Sequence, residues 1–257
     1  MARMANRLLR TWGILLLALL AATWAVLPAG AEELDATEIV RRVVDNLRGG
    51  TLEGTYTVTV ERPNRTTQYV MTVLSDGEDR GLIRVVQPPR EAGQAFLIDG
   101  DDLWVYNPRL GRSLRLPPSG RNGAFLGSDI SYNDLAGRDL EEDYTPSILA
   151  SSGQTLTLEL VPKPGAPTPY GQVRLEVEAE RLVPQRIDYY DQRGNVVKRA
   201  EFSEYASMGD RWVPLRMAVQ DVTRPGHQTE VRLSDVRFGI ELPAGSFTLQ
   251  ALERGGR

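Results

Sequence analysis

The feature that most constrains the fold is an alternation of apolar and polar residues with a period of two, which begins after Gly50. Tyr56, Val58 and Val60 alternate with Thr and Glu residues, and the same pattern returns many times before Phe238. Such alternation is typical of strands that have one buried face. Turn sequences rich in Gly, Pro, Asn and Asp separate these runs at a spacing of roughly ten residues. The pattern predicts an antiparallel all-β sandwich or barrel of about eleven strands.

The predicted strands extend over most of the chain, and no long helical pattern lies between them. This absence argues against a parallel sheet, which needs a crossover helix between successive strands. The runs that we interpret as strands are residues 55–61, 69–73, 82–86, 95–98, 103–106, 113–116, 156–160, 173–178, 184–190, 196–205, 212–222 and 229–238.

A helix is predicted before the first strand. Asp35 and Glu38 have the spacing of a capping box, and Gly49-Gly50 ends the pattern. The apolar residues between them recur at helical spacing and are Ile39, Val40, Val43, Val44 and Leu47. The other unusual segment, residues 117–144, is irregular and polar but contains apolar residues, so we expect it to pack against the domain.

The N-terminus has the features of a cleavable secretory signal peptide. Arg3, Arg7 and Arg10 precede an apolar run from Trp12 to Leu27, and Ala29–Ala31 provides the small residues of a cleavage site. As a helix, this run would reach only ~24 Å at ~1.5 Å per residue. The apolar core of a bilayer is ~30 Å thick. We therefore expect cleavage rather than the alternative, a retained membrane anchor.

Cleavage after residue 31 would leave residues 32–257 as one exported domain, located in the periplasm. The chain contains no Cys, which excludes a lipid anchor on Cys, disulfides and thiolate metal sites. Loss of the three N-terminal arginines changes the formal net charge from −4 to −7. This charge argues against nucleic acid as a partner.

No pattern in the sequence indicates catalysis, and we expect no enzymatic activity. His227 is the single His, it lies in a predicted turn, and no Gly-x-Ser-x-Gly motif is present to pair with it. A zinc site would have to consist of this one His and carboxylates, so no metal site and no cofactor are predicted.

Several stretches resemble one known family. The most specific is Gly123–Leu140, which resembles the signature loop of the LolA-like outer membrane lipoprotein-sorting protein family. The weaker matching stretches are Arg84–Pro89, Gly93–Leu97, Asp102–Pro108, Arg112–Arg115, Leu242–Pro243 and Phe247–Leu249.

The resemblance implies a strongly curved, incompletely closed antiparallel β-barrel whose concave side is covered by the N-terminal helix and a loop. It also implies a periplasmic carrier that binds acyl chains of lipids or lipoproteins in an apolar groove. Expected partners are such acyl chains, an inner-membrane transporter and an outer-membrane acceptor. The alternative is a cell-envelope regulatory or assembly protein that uses the same fold to bind a protein.

The residues predicted to line the groove come from the helix, the long loop and two strands. They are Ile39, Val40, Val43, Val44, Leu47, Phe96, Trp104, Tyr106, Phe125 and Leu126. Ordinary core packing explains the same residues. A cavity lined by both sheet and helix would favour the carrier, whereas a filled core would favour the protein-binding alternative.

Overall fold

The computed structural model of the protein describes residues 35–48, 50–136, 139–209 and 211–254, and only the backbone of residues 135, 136 and 139. The predicted signal peptide, residues 1–31, lies outside the described residues. Within the described part of the chain, none of the helices combines the length and the apolar character needed to cross a membrane.

The domain consists of one antiparallel sheet of thirteen strands that is curved but not closed, so the predicted incomplete barrel is confirmed. The strands are β1 (Leu52–Arg62), β2 (Arg65–Ser75), β3 (Arg80–Gln87), β4 (Ala95–Asp99), β5 (Asp102–Asn107), β6 (Arg112–Arg115), β7 (Tyr144–Ser151), β8 (Thr155–Pro162), β9 (Gln172–Glu178), β10 (Val183–Tyr190), β11 (Val196–Met208), β12 (Arg211–Asp221) and β13 (Gln228–Phe238). The helices are α1 (Ala36–Arg48), α2 (Tyr132–Ala136), α3 (Asp139–Glu142) and α4 (Leu249–Arg254).

The order of strands across the sheet is β6-β5-β4-β3-β2-β1-β13-β12-β11-β10-β9-β8-β7. Neighbouring strands in the sheet are therefore consecutive in the chain, except at the centre, where β1 pairs with β13. The two edges of the sheet, β6 and β7, are consecutive in the chain. The segment 117–144, here called the covering segment, connects them and therefore runs from one edge of the sheet to the other.

Helix α1 forms as the sequence predicts. The backbone N–H of Glu38 donates to the Asp35 carboxylate at 2.8 Å, which satisfies one of the free amides at the helix start. Among the bonds of the described residues, the Glu38 carboxylate accepts from Arg41 and Arg42. The apolar stripe of the helix is buried, and α1 contacts β12, β10, β7 and α3.

Asn46 fixes the end of α1 on the sheet. Its side-chain amide donates to the carbonyls of Arg181 and Leu182 at 3.2 and 2.9 Å, and its oxygen accepts from the backbone N–H of Trp212 at 2.9 Å. Asn46 is buried, so these hydrogen bonds offset the cost of removing its polar side chain and the bonded backbone groups from water.

The other face of the sheet is covered at one end by α4. Ala95 and Leu97 of β4 pack there with Leu252, which is fully buried. The guanidinium of Arg84 donates to the carbonyls of Ala251 and Leu252 at 2.9 and 3.2 Å, where a helix end carries partial negative charge.

The structure contains thirteen strands, more than the predicted number of about eleven, and one of them matches none of the twelve runs that we interpreted as strands. The missed strand is β7, which contains Pro146 and exposes Ile148 and Leu149. An edge strand tolerates Pro because one side of its backbone needs no ladder bonds, and its burial does not alternate. The covering segment also contains α2, α3 and two short 3₁₀ turns, none of which the sequence pattern indicated.

Candidate functional site

A cavity of about 300 Å³ lies on the concave side of the sheet. It is enclosed by the sheet, the C-terminal end of α1 and the covering segment. Pockets that bind small molecules begin at about this size and are mainly apolar, with a few polar groups that orient the ligand. The lining here has the same character.

The period of two in the strands determines the lining. Leu52, Tyr56 and Val58 of β1 are separated by two or four residues and face the cavity together. Most lining residues of the neighbouring strands also lie at alternate positions. The further strand residues that line the cavity are Met71, Val73, Ser75, Arg80, Gly81, Ile83, Ile98, Tyr144, Ile187, Tyr189, Lys198, Ala200, Phe202, Pro214, Leu215, Met217, Val219, Val231 and Leu233.

The predicted residues of α1 separate into two groups. Leu47 is half-buried and lines the cavity, next to Arg48. The other four are buried where α1 packs against the sheet and α3, and they do not line the cavity; they are Ile39, Val40, Val43 and Val44. For these four, the structure shows core packing, and a role in ligand binding stays a prediction.

Phe125 is the member of the predicted set from the covering segment that lines the cavity. Its ring contacts Phe96 edge-on, with 4.9 Å between the centroids, and Tyr132 at 5.7 Å. Phe96 is fully buried behind it. Leu126 packs against the same cluster without lining the cavity, and its carbonyl accepts a bond from the Tyr69 hydroxyl at 3.2 Å.

Trp104 and Tyr106 lie away from the cavity. They are paired with Leu97 and Ala95 of β4 and share their face of the sheet, which α4 covers. Alternation in β5 placed both residues on one face, but nothing in the sequence showed which face is concave. The residues that sequence analysis missed are the apolar lining positions of β1 to β4 and of β10 to β13. Their alternation was visible in the sequence, but their position around one cavity was not.

One end of the cavity is polar and contains the side chains of Lys198, Asp134, Asn133, Tyr170 and Tyr189. The Lys198 ammonium lies 2.5 Å from the Asp134 carboxylate. It also lies 4.8 Å from the centre of the Tyr189 ring and 5.8 Å from that of Tyr170, both within cation–π range. Burial alone would lower the pKa of Lys198, but Asp134 and the Tyr170 hydroxyl raise the pKa above its usual value.

The opposite end of the cavity is also charged, through Arg48, Glu78, Asp79 and Arg80. Arg80 is half-exposed and pairs with Asp76 at 2.7 Å. Burial would raise the pKa of the Asp76 carboxyl, but the bonds from Arg80 and from backbone N–H groups lower it below the usual value.

The covering segment is attached to the sheet by a buried polar cluster. Asp129, whose side chain is almost fully buried, accepts from Arg62 at 2.8 Å and from the Thr229 hydroxyl at 2.8 Å. The Asp129 N–H donates to the same hydroxyl, and Arg62 donates to the Gly127 carbonyl. These bonds fix the segment beside Phe125. Among the described residues, no group of three or more acidic or His side chains is arranged to hold a metal ion.

A family profile described as "Uncharacterized protein" matches residues 77–254, which include the covering segment and most of the sheet. The chain belongs to this family. No curated protein matches this chain.

Three solved structures identify the fold. A domain described as an outer membrane lipoprotein-sorting protein domain from Vibrio parahaemolyticus is 26% identical, with a TM-score of 0.75, over 85% of this chain and 98% of that one. A DUF1329 family protein from Desulfovibrio piger is 24% identical, with a TM-score of 0.75, over 84% and 97%. A LolA superfamily protein from Nitrosomonas europaea is 24% identical, with a TM-score of 0.68, over 84% and 98%. The fold is LolA-like, and the predicted resemblance is confirmed.

Proposed function

We propose that the protein is a non-enzymatic periplasmic carrier that binds acyl chains of lipids or lipoproteins in the cavity. The observation that carries the proposal is the composition of the cavity wall. Sheet residues such as Val58 and Met217, Leu47 of α1 and Phe125 of the covering segment all contribute to it. The fold, which is that of lipoprotein-sorting relatives, agrees with this role.

The energy of an exposed acyl chain explains the need for such a protein. Burial of each CH₂ group is worth ~0.8 kcal/mol, so a chain of ~16 carbons in water costs ~13 kcal/mol. A carrier must replace most of this stabilisation with its own apolar surface. It must also release the chain, which favours a cavity covered by a separate segment over a sealed core.

The predicted export signal agrees with a role in the cell envelope, and we propose transport to the outer membrane or its maintenance as this role. An inner-membrane transporter would load the carrier and an outer-membrane acceptor would unload it. The name of the Vibrio parahaemolyticus relative, which mentions lipoprotein sorting, supports this direction.

The test uses residues 32–257 expressed in bacteria, organic extraction and lipid mass spectrometry. We expect stoichiometric phospholipid or acylated peptide in the extract, and uptake of a fluorescent fatty acid by the delipidated protein. Protein that is free of lipid and also takes up no fatty acid would refute the proposal.

Two variants on adjacent strands locate the binding. Ala200 on β11 lines the cavity, and Ala200→Trp should fill part of it and abolish uptake. Ala218 on β12 points to the opposite face, because it lies between Met217 and Val219, which line the cavity. Ala218→Trp is therefore the matched control and should take up fatty acid as the wild type does. Equal uptake by both variants would place binding elsewhere.

A second candidate is an envelope regulatory or assembly protein, and edge strand β7 favours it. One side of β7 has no partner strand in the described sheet, and its Ile148 and Leu149 are 41% and 48% exposed. An exposed edge of this kind can accept a strand from another protein. Lipid-free protein with an unaltered fold would move the conclusion to this candidate.

A further inference from the structure

The polar end of the cavity has a composition that the acyl-binding proposal alone does not explain. Acyl chains need apolar walls, yet Lys198 lies in this cavity with its side chain 11% exposed. The chain has 30 basic residues, and only Lys163 and Lys198 are Lys. A Lys ammonium is a compact charge with three donors that rotate together, and it occupies less space than an Arg fork.

The pairing register locates Lys198 relative to the rest of the cavity. Val60 pairs with Thr229, Thr229 with Val219, and Val219 with Ala200. Lys198 lies two residues from Ala200 along β11, towards the end of the cavity that is farther from Leu52. The two charged ends of the cavity are therefore about ten residues apart along the strands, at most roughly 33 Å at ~3.3 Å per residue. The wall between them is apolar, which is the arrangement that a ligand with a polar head and a long tail requires.

An anionic ligand would sense the Lys198 charge more strongly than the Arg80 charge. Arg80, at the other end, is 50% exposed, so water and salt screen its charge. Lys198 is buried against two tyrosine rings, and in such a place an opposite charge is attracted more strongly because the local dielectric is lower.

Asp134 can release Lys198 without losing all its partners. Its carboxylate also accepts from the backbone N–H and the hydroxyl of Ser131, at 2.6 and 2.8 Å. These two donors remain when the ammonium turns to another anion, so the partly buried Asp134 carboxylate keeps two hydrogen bonds during the exchange.

We propose that Lys198 is the head-group anchor of the cavity. It binds the anionic oxygens of a carboxylate or phosphate at the head of an acyl ligand, and the tail extends along β1 and β12 towards Leu52. The proposal rests on the proposed acyl-binding function. It selects among acyl ligands, because a chain with an anionic head gains a contact that a neutral one lacks.

The test compares dodecanoate, dodecyl phosphate and dodecanol, which share one tail. Each competes against the neutral fluorescent probe phenylnaphthylamine on delipidated residues 32–257. The wild type should bind the two anions about tenfold more tightly than the alcohol, a difference of about 1.4 kcal/mol. The ratio of dodecanoate to dodecyl phosphate affinity then indicates whether a fatty acid or a phospholipid head fits better.

Three variants separate an anchor from a structural ion pair. Lys198→Met should remove the preference for anions while dodecanol still binds, and Lys198→Arg should restore part of it. Asp134→Asn should increase the preference, because the ammonium loses its competing partner. Lys163→Met, at the exposed second Lys, is the matched control and should leave the preference unchanged. Circular dichroism checks that each variant is folded.

Each other outcome overturns the proposal in a distinguishable way. An unchanged preference in Lys198→Met shows that Lys198 is not the anchor. Equal weakening of all three ligands in Lys198→Met and Asp134→Asn assigns the pair a purely structural role. A wild type that binds all three equally refutes the anchor and leaves the carrier intact, whereas a wild type that binds none refutes both. Carbon-13 NMR of carboxyl-labelled dodecanoate adds a direct readout, since an adjacent ammonium lowers the pKa of the bound carboxyl.

Discussion

Gly77, in the turn between β2 and β3, allows two backbone segments to approach closely. Its φ is +80°, and a Cβ at this position would lie 2.1 Å from the Cα of Gly50, in the connection between α1 and β1. Gly77→Ala therefore has two costs. The left-handed conformation costs about 1–2 kcal/mol for a residue with a Cβ. Movement of the Gly50 backbone adds about 1–3 kcal/mol, as in an overpacked core.

Gly153 provides a matched control for this experiment. Its φ is +77°, and a Cβ there would meet no atom within 4 Å. Gly153→Ala should pay only the conformational cost of about 1–2 kcal/mol. Urea unfolding of both variants measures the difference, which isolates the cost of the contact with Gly50. Equal losses of stability would show that the contact is not tight and would refute the reasoning.

Three further predictions concern stability. Phe125→Ala should lower the free energy of unfolding by about 3–5 kcal/mol, because Phe125 is buried and contacts two rings. Leu126→Ala should lower it by less, because Leu126 is half-buried. Equal losses of the two variants in urea unfolding would contradict this. Asp35→Ala should cost about 1 kcal/mol through loss of the bond to the Glu38 N–H, and an unchanged urea midpoint would show that this cap contributes nothing. Bonds from Arg41 and Arg42 lower the pKa of Glu38 from 4.5 to about 2. The protein should therefore be more stable than Glu38→Gln above about pH 4.5, and this difference should disappear as the pH falls towards 2. Unfolding curves of the two proteins across this range measure it, and a difference that does not depend on pH would count against the ion pairs.

The strands could be predicted from the sequence because a strand with one buried face has apolar residues at alternate positions. Tyr56, Val58 and Val60 show this, and the helix from residue 36 follows from its own stripe and from the cap at Asp35. The strand β7 could not be predicted because an edge strand with Pro146 buries little and alternates poorly.

The cavity was only partly predictable. Alternation along a strand assigns its residues to one face or the other, but the direction in which the sheet curves decides which face is concave. Phe96 and Trp104 were therefore grouped together, although α4 covers the face that carries Trp104. The contact between Asp134 and Lys198 joins residues that are 64 positions apart, and no local pattern indicates such a pair.

The position of β13 beside β1 has a consequence for the order of folding. Every other pair of neighbouring strands is consecutive in the chain, so each half of the sheet can form from local hairpins. The central seam needs both the first and the last strand. The two halves therefore cannot join until the last strand of the sheet is available. Because both halves contribute to the cavity wall, the cavity is complete only after this last pairing.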